Sequence, residues 1–369
     1  LIVAAPRTLV FAYPGDIETL TGGYVYDKRV VQGLKAAGWH VLTIGLGEGF
    51  PFPDAETVGR ASAALAGIEA GTPVLVDGLA LSAAEPIAAA AASRGPLVAL
   101  VHHPLALETG LDPAAAARLR ASERAALAFA DHVVVTSGPT ADTLAADFGV
   151  PAVGITIAPP GIDPAGFAPG RSRGPARLLA VGQLVPRKGH DVLLRALARL
   201  KRLSWRLAIA GIDPTGGGHE ADLRALAGAL GLADRVEFRG ALDREALAAA
   251  YLDADVFVLA SLYEGYGMVY AEALSHGLPV IGTTGGAIPS VVPADAGLLA
   301  EPGDPASLAA ALRTMIADRP ARRGFALGAR RAAAALPRWE DTVRIVADGV
   351  AAGVARARRR RRDPDGLLG

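Results

Sequence analysis

The feature that most constrains this chain is an alternation. Short aliphatic runs are each followed, after a few turn residues, by an alanine- and leucine-rich stretch of helical length. Strand then helix, repeated, leaves one economical solution: a parallel, doubly wound sheet with helices on both faces. The first series is predicted as strands 8–12, 40–45, 73–76, 96–101 and 132–136, with helices 21–37, 54–70, 81–93, 113–130 and 139–148. Residues 158–175 break the pattern. They hold five prolines and four glycines and no apolar period, the composition of an interdomain linker. The second series has strands 177–181, 206–210, 236–239, 256–259, 279–281 and 297–299, with helices 191–203, 220–230, 244–253, 268–276 and 305–316. A last helix is expected over 339–354.

Length agrees with two domains, since 369 residues exceed one ordinary core. Lys plus Arg equals Asp plus Glu at 37 each, so no global charge points to nucleic acid. The chain has no cysteine, which excludes a disulfide framework, a thiolate metal site and a cysteine nucleophile. No apolar run reaches membrane-spanning length, so a soluble, cytoplasmic protein is expected. The chain begins at Leu1 without methionine, so its start says nothing about a leader. Arg356 and the run from Arg358 to Arg362 form a basic end. Its plain reading is a solvated, disordered tail; the sharper one is peripheral contact with anionic lipid at the inner membrane. Asp363 and Asp365 blunt it.

The chemistry concentrates in Tyr263-Glu264-Gly265-Tyr266-Gly267-Met268-Val269-Tyr270-Ala271-Glu272. A buried strand leads into a loop with Gly265 and Gly267, and a helix begins at Met268. Unpaired first-turn N–H groups and the helix dipole favour an anion there, and glycines let a phosphate approach the backbone. Glu272, one turn into the helix, fits as an acceptor for the cis-diol of a ribose. Glu264 is then expected to face the other end of the ligand. A second basic loop, Gly182-Gln183-Leu184-Val185-Pro186-Arg187-Lys188-Gly189, follows the first strand of the second half. Two cations before a helix N-terminus oppose its dipole, and a bound diphosphate would offset that cost.

At these residues the chain resembles the Glu-x7-Glu signature of retaining family-4 glycosyltransferases. That resemblance implies an α/β fold of the GT-B type: two facing Rossmann-like doubly wound domains and a C-terminal crossover helix. The expected boundaries are 1–165 for an acceptor-side domain, 166–335 for a nucleotide-sugar domain, 336–355 for the crossover helix and 356–369 for the basic tail. Lys188 matches the family's diphosphate lysine; Gln183 stands where its arginine is common, and Arg187 is the candidate substitute. His102, at a strand end in His102-His103-Pro104, is similar to the family's cleft histidine, expected neutral and hydrogen-bonded to a sugar hydroxyl. Glu108 and Thr109 are placed on the acceptor side. The implied catalytic set is His102, Glu264, Lys188 and Arg187. The implied donor set is Gly22, Gly23, Gln183, Gly211 and Gly240, with Gly265, Tyr266, Gly267, Met268, Val269 and Glu272.

Asp253-Ala254-Asp255 has the form of a metal–nucleotide motif but sits at a helix-to-strand junction, and no His/Asp/Glu spacing fits zinc. The resemblance therefore implies no metal and no cofactor. It implies a nucleotide-sugar donor, a carbohydrate, lipid-linked or small-molecule acceptor, and front-face displacement with retention. A GT-B epimerase or phosphorylase, and a non-catalytic nucleotide-sugar-binding protein, stand as the alternatives.

Overall fold

The computed structural model describes residues 7–19, 21–170, 173–214, 216 and 218–362. The chain's first six residues, Asp363 and Asp365 lie outside them. The chain divides into two compact units, Leu1–Gly161 with Pro337–Gly369, and Ile162–Leu336.

Unit 1 contains strands β1 (Arg7–Tyr13), β2 (Trp39–Gly45), β3 (Val74–Asp77), β4 (Leu97–Val101), β5 (His132–Val135) and β6 (Ile155–Ile157). Its helices are α1 (Gly22–Ala36), α2 (Ala55–Ala66), α3 (Gly78–Leu81), α4 (Glu85–Arg94), α5 (Pro113–Leu127) and α6 (Gly138–Asp147). The sheet order is β2-β1-β3-β4-β5-β6, and every pairing is parallel. Side chains alternate across the strands, so the sheet is buried on both faces. Val10, Val76 and Ala99 join one core with Leu65, Ile87 and Leu119. Leu9, Leu75 and Val98 join the other, with Tyr26, Val30 and Leu34 of α1.

Unit 2 contains β7 (Ala176–Val181), β8 (Trp205–Ala210), β9 (Val236–Phe238), β10 (Val256–Val258), β11 (Val280–Thr283) and β12 (Gly297–Ala300). Its helices are α7 (His190–Ala198), α8 (Gly218–Ala229), α9 (Arg244–Asp253), α10 (Met268–Ser275), α11 (Ile288–Val291), α12 (Pro305–Ala317) and α13 (Arg319–Ala333). The order is β12-β11-β10-β7-β8-β9, again all parallel. Both units are doubly wound, as the alternation predicts. The order reverses between β1 and β3, and between β7 and β10. Crevices outside the carboxyl ends of strands at such reversals are where open α/β sheets bind ligands.

The final helix, α14 (Trp339–Arg362), packs in unit 1 against α1, β4 and β5. Val343, Val346 and Val350 complete the core under α1. The helix runs to Arg362 instead of ending at 354, so the basic stretch is helical through 362, not a disordered tail. The boundary between the units, at Gly161 and Ile162, falls within the predicted linker, whose described residues include buried ones: Ala158 accepts from Tyr26 Oη at 3.0 Å, and Ile162 and Ala168 join the core of unit 2.

Other departures have local causes. The helix predicted over 81–93 is two, because Pro86 in the first turn of α4 starts a new helix. α7 stops at Ala198, short of 203. β6 and α13 were not predicted.

Candidate functional site

At the carboxyl end of β7 the chain turns through Gly182 and Gln183 and reaches Arg187 and Lys188 in one 3-10 turn. Gly189 follows with φ +63, and a Cβ there would sit 2.1 Å from the Ala260 carbonyl oxygen. That close approach needs glycine. It brings the basic loop against the loop after β10, and Leu262 N donates to Arg187 O at 2.8 Å.

The two loops meet in one charged cluster. Lys188 Nζ donates to Glu264 Oε1 at 2.6 Å, and Arg187 Nη1 donates to Glu264 Oε2 at 3.2 Å and to Tyr263 O at 3.0 Å. Ser261 Oγ also donates to Glu264 Oε1, at 2.6 Å. Glu264 is buried; burial raises its carboxyl pKa, but Lys188 and Arg187 outweigh burial and hold it below the usual range. Glu264 lies between the two cations and orients them. One positive charge remains in excess over the three groups.

The loop then enters α10. Gly267 is its N-cap with φ +95, and no side chain caps the helix. Gly265 and Gly267 are buried, Tyr266 packs partly buried on the unit 2 core, and Met268 and Val269 form the first turn. Glu272 lies on the same helix and accepts from Tyr251 Oη at 2.9 Å. Burial pushes its carboxyl up to about 7, the Tyr251 hydrogen bond opposes this, and Asp163 adds to it. Tyr251 is in turn stacked on His276, centroids 4.6 Å apart.

Gly182, Gly211 and Gly240 line the carboxyl ends of β7, β8 and β9. A Cβ on Gly211 would sit 1.9 Å from Gly182 O, and Gly211 N donates to Gly240 O at 2.8 Å. His190, buried at the start of α7, holds the Gln183 carbonyl through Nε2 at 3.3 Å. Arg187, Lys188, Glu264, Glu272, these glycines and the α10 start thus belong to unit 2. Gly22, Gly23 and His102 belong to unit 1.

In unit 1, Gly22 opens α1, capped by Thr21, and Gly23 lies against the His102 ring. His102 Nε2 lies 3.1 Å from Asp27 Oδ1 and 3.4 Å from Asp77 Oδ2. The three residues offer ligand atoms within 4.8 Å of one another. Burial lowers the His102 pKa, yet Asp27 and Asp77 outweigh it and raise it to about 10, a direction that runs against the expected neutral imidazole. Asp27 is raised by burial and by Asp77. His103 pairs with Glu108 at 3.1 Å, and Glu108 also accepts from Thr109 N.

Sequence reasoning missed Asp27, Asp77 and Ser261. Nothing local marks them, because their partners lie 75, 25 and 3 residues away in the chain, the last reached through a loop turn. The Asp-x-Asp stretch is structural: Asp253 pairs with the Arg177 side chain, and Asp255 accepts from Arg177 N at 2.9 Å.

Two doubly wound units, with charged residues at their reversal points, define the GT-B class of glycosyltransferase architecture. The chain belongs to the group 1, family-4 glycosyltransferases: residues 166–332 match the family described as glycosyl transferases group 1, and 76–165 the one described as glycosyltransferase family 4. A D-inositol 3-phosphate glycosyltransferase of Geodermatophilus obscurus is 37% identical over 64% of this chain and 56% of its own length. An MMP alpha-(1->4)-mannosyltransferase of Mycolicibacterium hassiacum is 32% identical over 77% of this chain and 71% of its own. The chain thus spans little more than half of the first of these relatives. The sucrose-phosphate synthase of Thermosynechococcus elongatus shares the fold, with TM-score 0.77, 23% identity, and 93% of this chain and 98% of that one covered. So does HepE of Anabaena, solved with UDP and glucose, at TM-score 0.72, 18% identity and 92% and 99% coverage.

Proposed function

We propose that this glycosyltransferase moves a sugar from a nucleoside-diphosphate donor to an acceptor hydroxyl with retention of anomeric configuration and without a metal. One observation carries the donor side. Arg187, Lys188 and the uncapped start of α10 belong to two loops that Glu264 and the Leu262–Arg187 hydrogen bond tie together. That arrangement suits a diphosphate, which supplies the compensating negative charge and accepts both side-chain and backbone donors. Gly240, after β9, has open space where a side chain would stand, which leaves room for a base, and Glu272 suits the ribose diol.

Arg187, Lys188 and the helix dipole stabilise the charge that grows on the leaving diphosphate, mainly by electrostatics fixed in advance. Glu264 is engaged by both cations and Ser261, so it serves as their orienting group and not as a nucleophile beneath the sugar. The acceptor proton passes to the departing phosphate oxygen on the face where the new bond forms. The acceptor is a carbohydrate, a lipid-linked sugar or a small polyol; the name of the Geodermatophilus relative favours the last.

The test is a thermal-shift panel of UDP, GDP, ADP and dTDP with their sugars. A ligand bound only by the folded chain at 100 times its Kd adds about 2.7 kcal/mol of stability. One nucleotide series should stabilise the protein, and its sugar should then appear in the product with the donor's anomeric configuration by NMR. No response to any donor, or an inverted product, overturns the reading; an epimer formed from donor alone points to an epimerase.

A further inference from the structure

Asp27 is the unexplained residue of unit 1. It sits in the second turn of α1 and is 0% exposed, where an ionised carboxylate is costly. Its Oδ1 meets His102 Nε2, and its Oδ2 is buried without a hydrogen-bond partner. Asp77 ends β3, is 3% exposed, and uses Oδ1 to cap Leu79 N at 2.7 Å while Oδ2 faces the same Nε2. Two carboxylate oxygens at 3.1 and 3.4 Å favour a proton on Nε2, and two acidic groups beside the ring also favour the second proton that makes it cationic.

The rest of the ring is also fixed. Tyr26 meets it edge-on at 5.3 Å, and a Cβ at Gly23 would lie 3.4 Å from Cδ2. The His102 carbonyl accepts from Thr136 Oγ1 at 3.1 Å. The His102 side chain is 21% exposed while those of Asp27 and Asp77 are 0% and 4%. With Nε2 and Cδ2 covered, the Nδ1–Cε1 edge is the part left to face outward.

We propose that Asp27 and Asp77 are positioning residues that lock His102 as an imidazolium with Nδ1–H turned outward, so that it meets its substrate as a cationic donor and not as a base. Two buried carboxylates outweigh the burial that would otherwise neutralise the ring. The donor so made suits a sugar hydroxyl or an anionic oxygen of the substrate. It cannot take the acceptor's proton, which leaves that role to the departing phosphate. The kinetic consequences rest on the transfer reaction proposed above; the state of the ring does not.

The experiment uses the full chain labelled with 15N-histidine, His102 being assigned by the signal lost in His102→Gln. The titratable groups facing the ring are Asp27 and Tyr26 from α1 and Asp77 from the end of β3. Both ring nitrogens of His102 should read as protonated from pH 6 to about 9, far above the ordinary histidine midpoint of about 6.5. Asp27→Asn and Asp77→Asn should each bring the midpoint down by more than one unit. A wild-type ring that titrates near 6.5, or that carries no proton on Nε2, overturns the proposal whatever the protein transfers.

In the kinetic arm, Asp27→Asn should lower kcat about ten-fold or more at pH 8 with little change in donor KM. The loss should shrink toward pH 5.5, where the ring regains its proton. An equal loss at every pH would make Asp27 merely structural and overturn the role. If Asp27→Asn does not fold, Asp77→Asn is read in its place. Wild type inactive with every donor defeats the transfer reading alone, and the 15N result still decides the lock.

Discussion

At the residue scale the cluster of Arg187, Lys188 and Glu264 works by mutual restraint. Two cations next to each other repel, and Glu264 between them holds both in place. Lys188→Ala removes one of them but leaves Glu264 with Arg187 and Ser261. Its kcat/KM should fall by about 10²–10³-fold, the size seen when one preorganised donor to a developing anion is lost, while circular dichroism stays unchanged. Wild-type-like transfer would refute the clamp. Glu272 makes a second, separable prediction. Its carboxyl titrates at about 7 and the ionised form is the better acceptor for a diol, so nucleotide binding should tighten as pH rises from 6 to 8. The gain should approach about ten-fold, the rise in ionised fraction across one unit on either side of the midpoint. Glu272→Gln should bind more weakly and with a smaller pH dependence, measured by calorimetry. An unchanged slope in that variant would assign the pH effect to the nucleotide.

At the element scale, what was legible in the chain follows from burial. Strands such as β3 and Leu97–Val101 are covered on both faces, so Val74 to Val76 and Leu97 to Val101 read as unbroken apolar runs. β6 has three residues at the sheet edge with Ile157 exposed, too short to show a period. α13 carries five arginines in fifteen residues and buries little besides Arg322, Gly328 and Ala329, yet Asp318 caps it and Pro320 stands in its first turn, signals that were present. The two loops that meet at Glu264 were marked in the sequence because glycine, adjacent cations and a helix start fall together within short stretches. Asp27 and Asp77 were not, since only the fold brings the ends of β3 and β4 and the helix α1 to one place. Glycines in α14 show the same limit. A Cβ on Gly349 would lie 2.8 Å from Val134 Cγ2, and one on Gly353 2.7 Å from Val98 Cγ2. Gly349→Leu should therefore cost about 1–3 kcal/mol by overpacking. Gly324 in α13 has nothing within 4 Å of its would-be Cβ, and Gly324→Ala should stabilise by up to about 1 kcal/mol. Urea midpoints measure both, and equal effects at the two sites would contradict the packing of α14 on the sheet.

At the scale of the whole molecule, formal charge balances at 37 against 37, so any electrostatic contact must be local. Among the described residues no helix is long and apolar enough to cross a membrane. The end of α14 carries five consecutive arginines, Arg358 to Arg362. Arg356 is tied to the Val153 carbonyl, and Arg360 lies 3.1 Å from buried Asp131, so this stretch of the helix is anchored to unit 1. Cations in a last turn also complement the helix dipole. Arg358, Arg359, Arg361 and Arg362 remain exposed, and Val153 beside them is 80% exposed. Four arginines at about 1 kcal/mol each against an anionic lipid surface give about 4 kcal/mol, a millimolar interaction. Reversible, salt-sensitive binding is therefore expected, not anchoring. Vesicles containing phosphatidylglycerol should co-sediment the protein at low ionic strength, and 0.5 M salt should release it, because the Debye length then falls below about 5 Å. Changing the four exposed arginines to glutamate should abolish the binding and leave transfer to a water-soluble acceptor intact. Equal binding to neutral phosphatidylcholine vesicles, or binding that survives salt, would show that these charges leave the membrane alone.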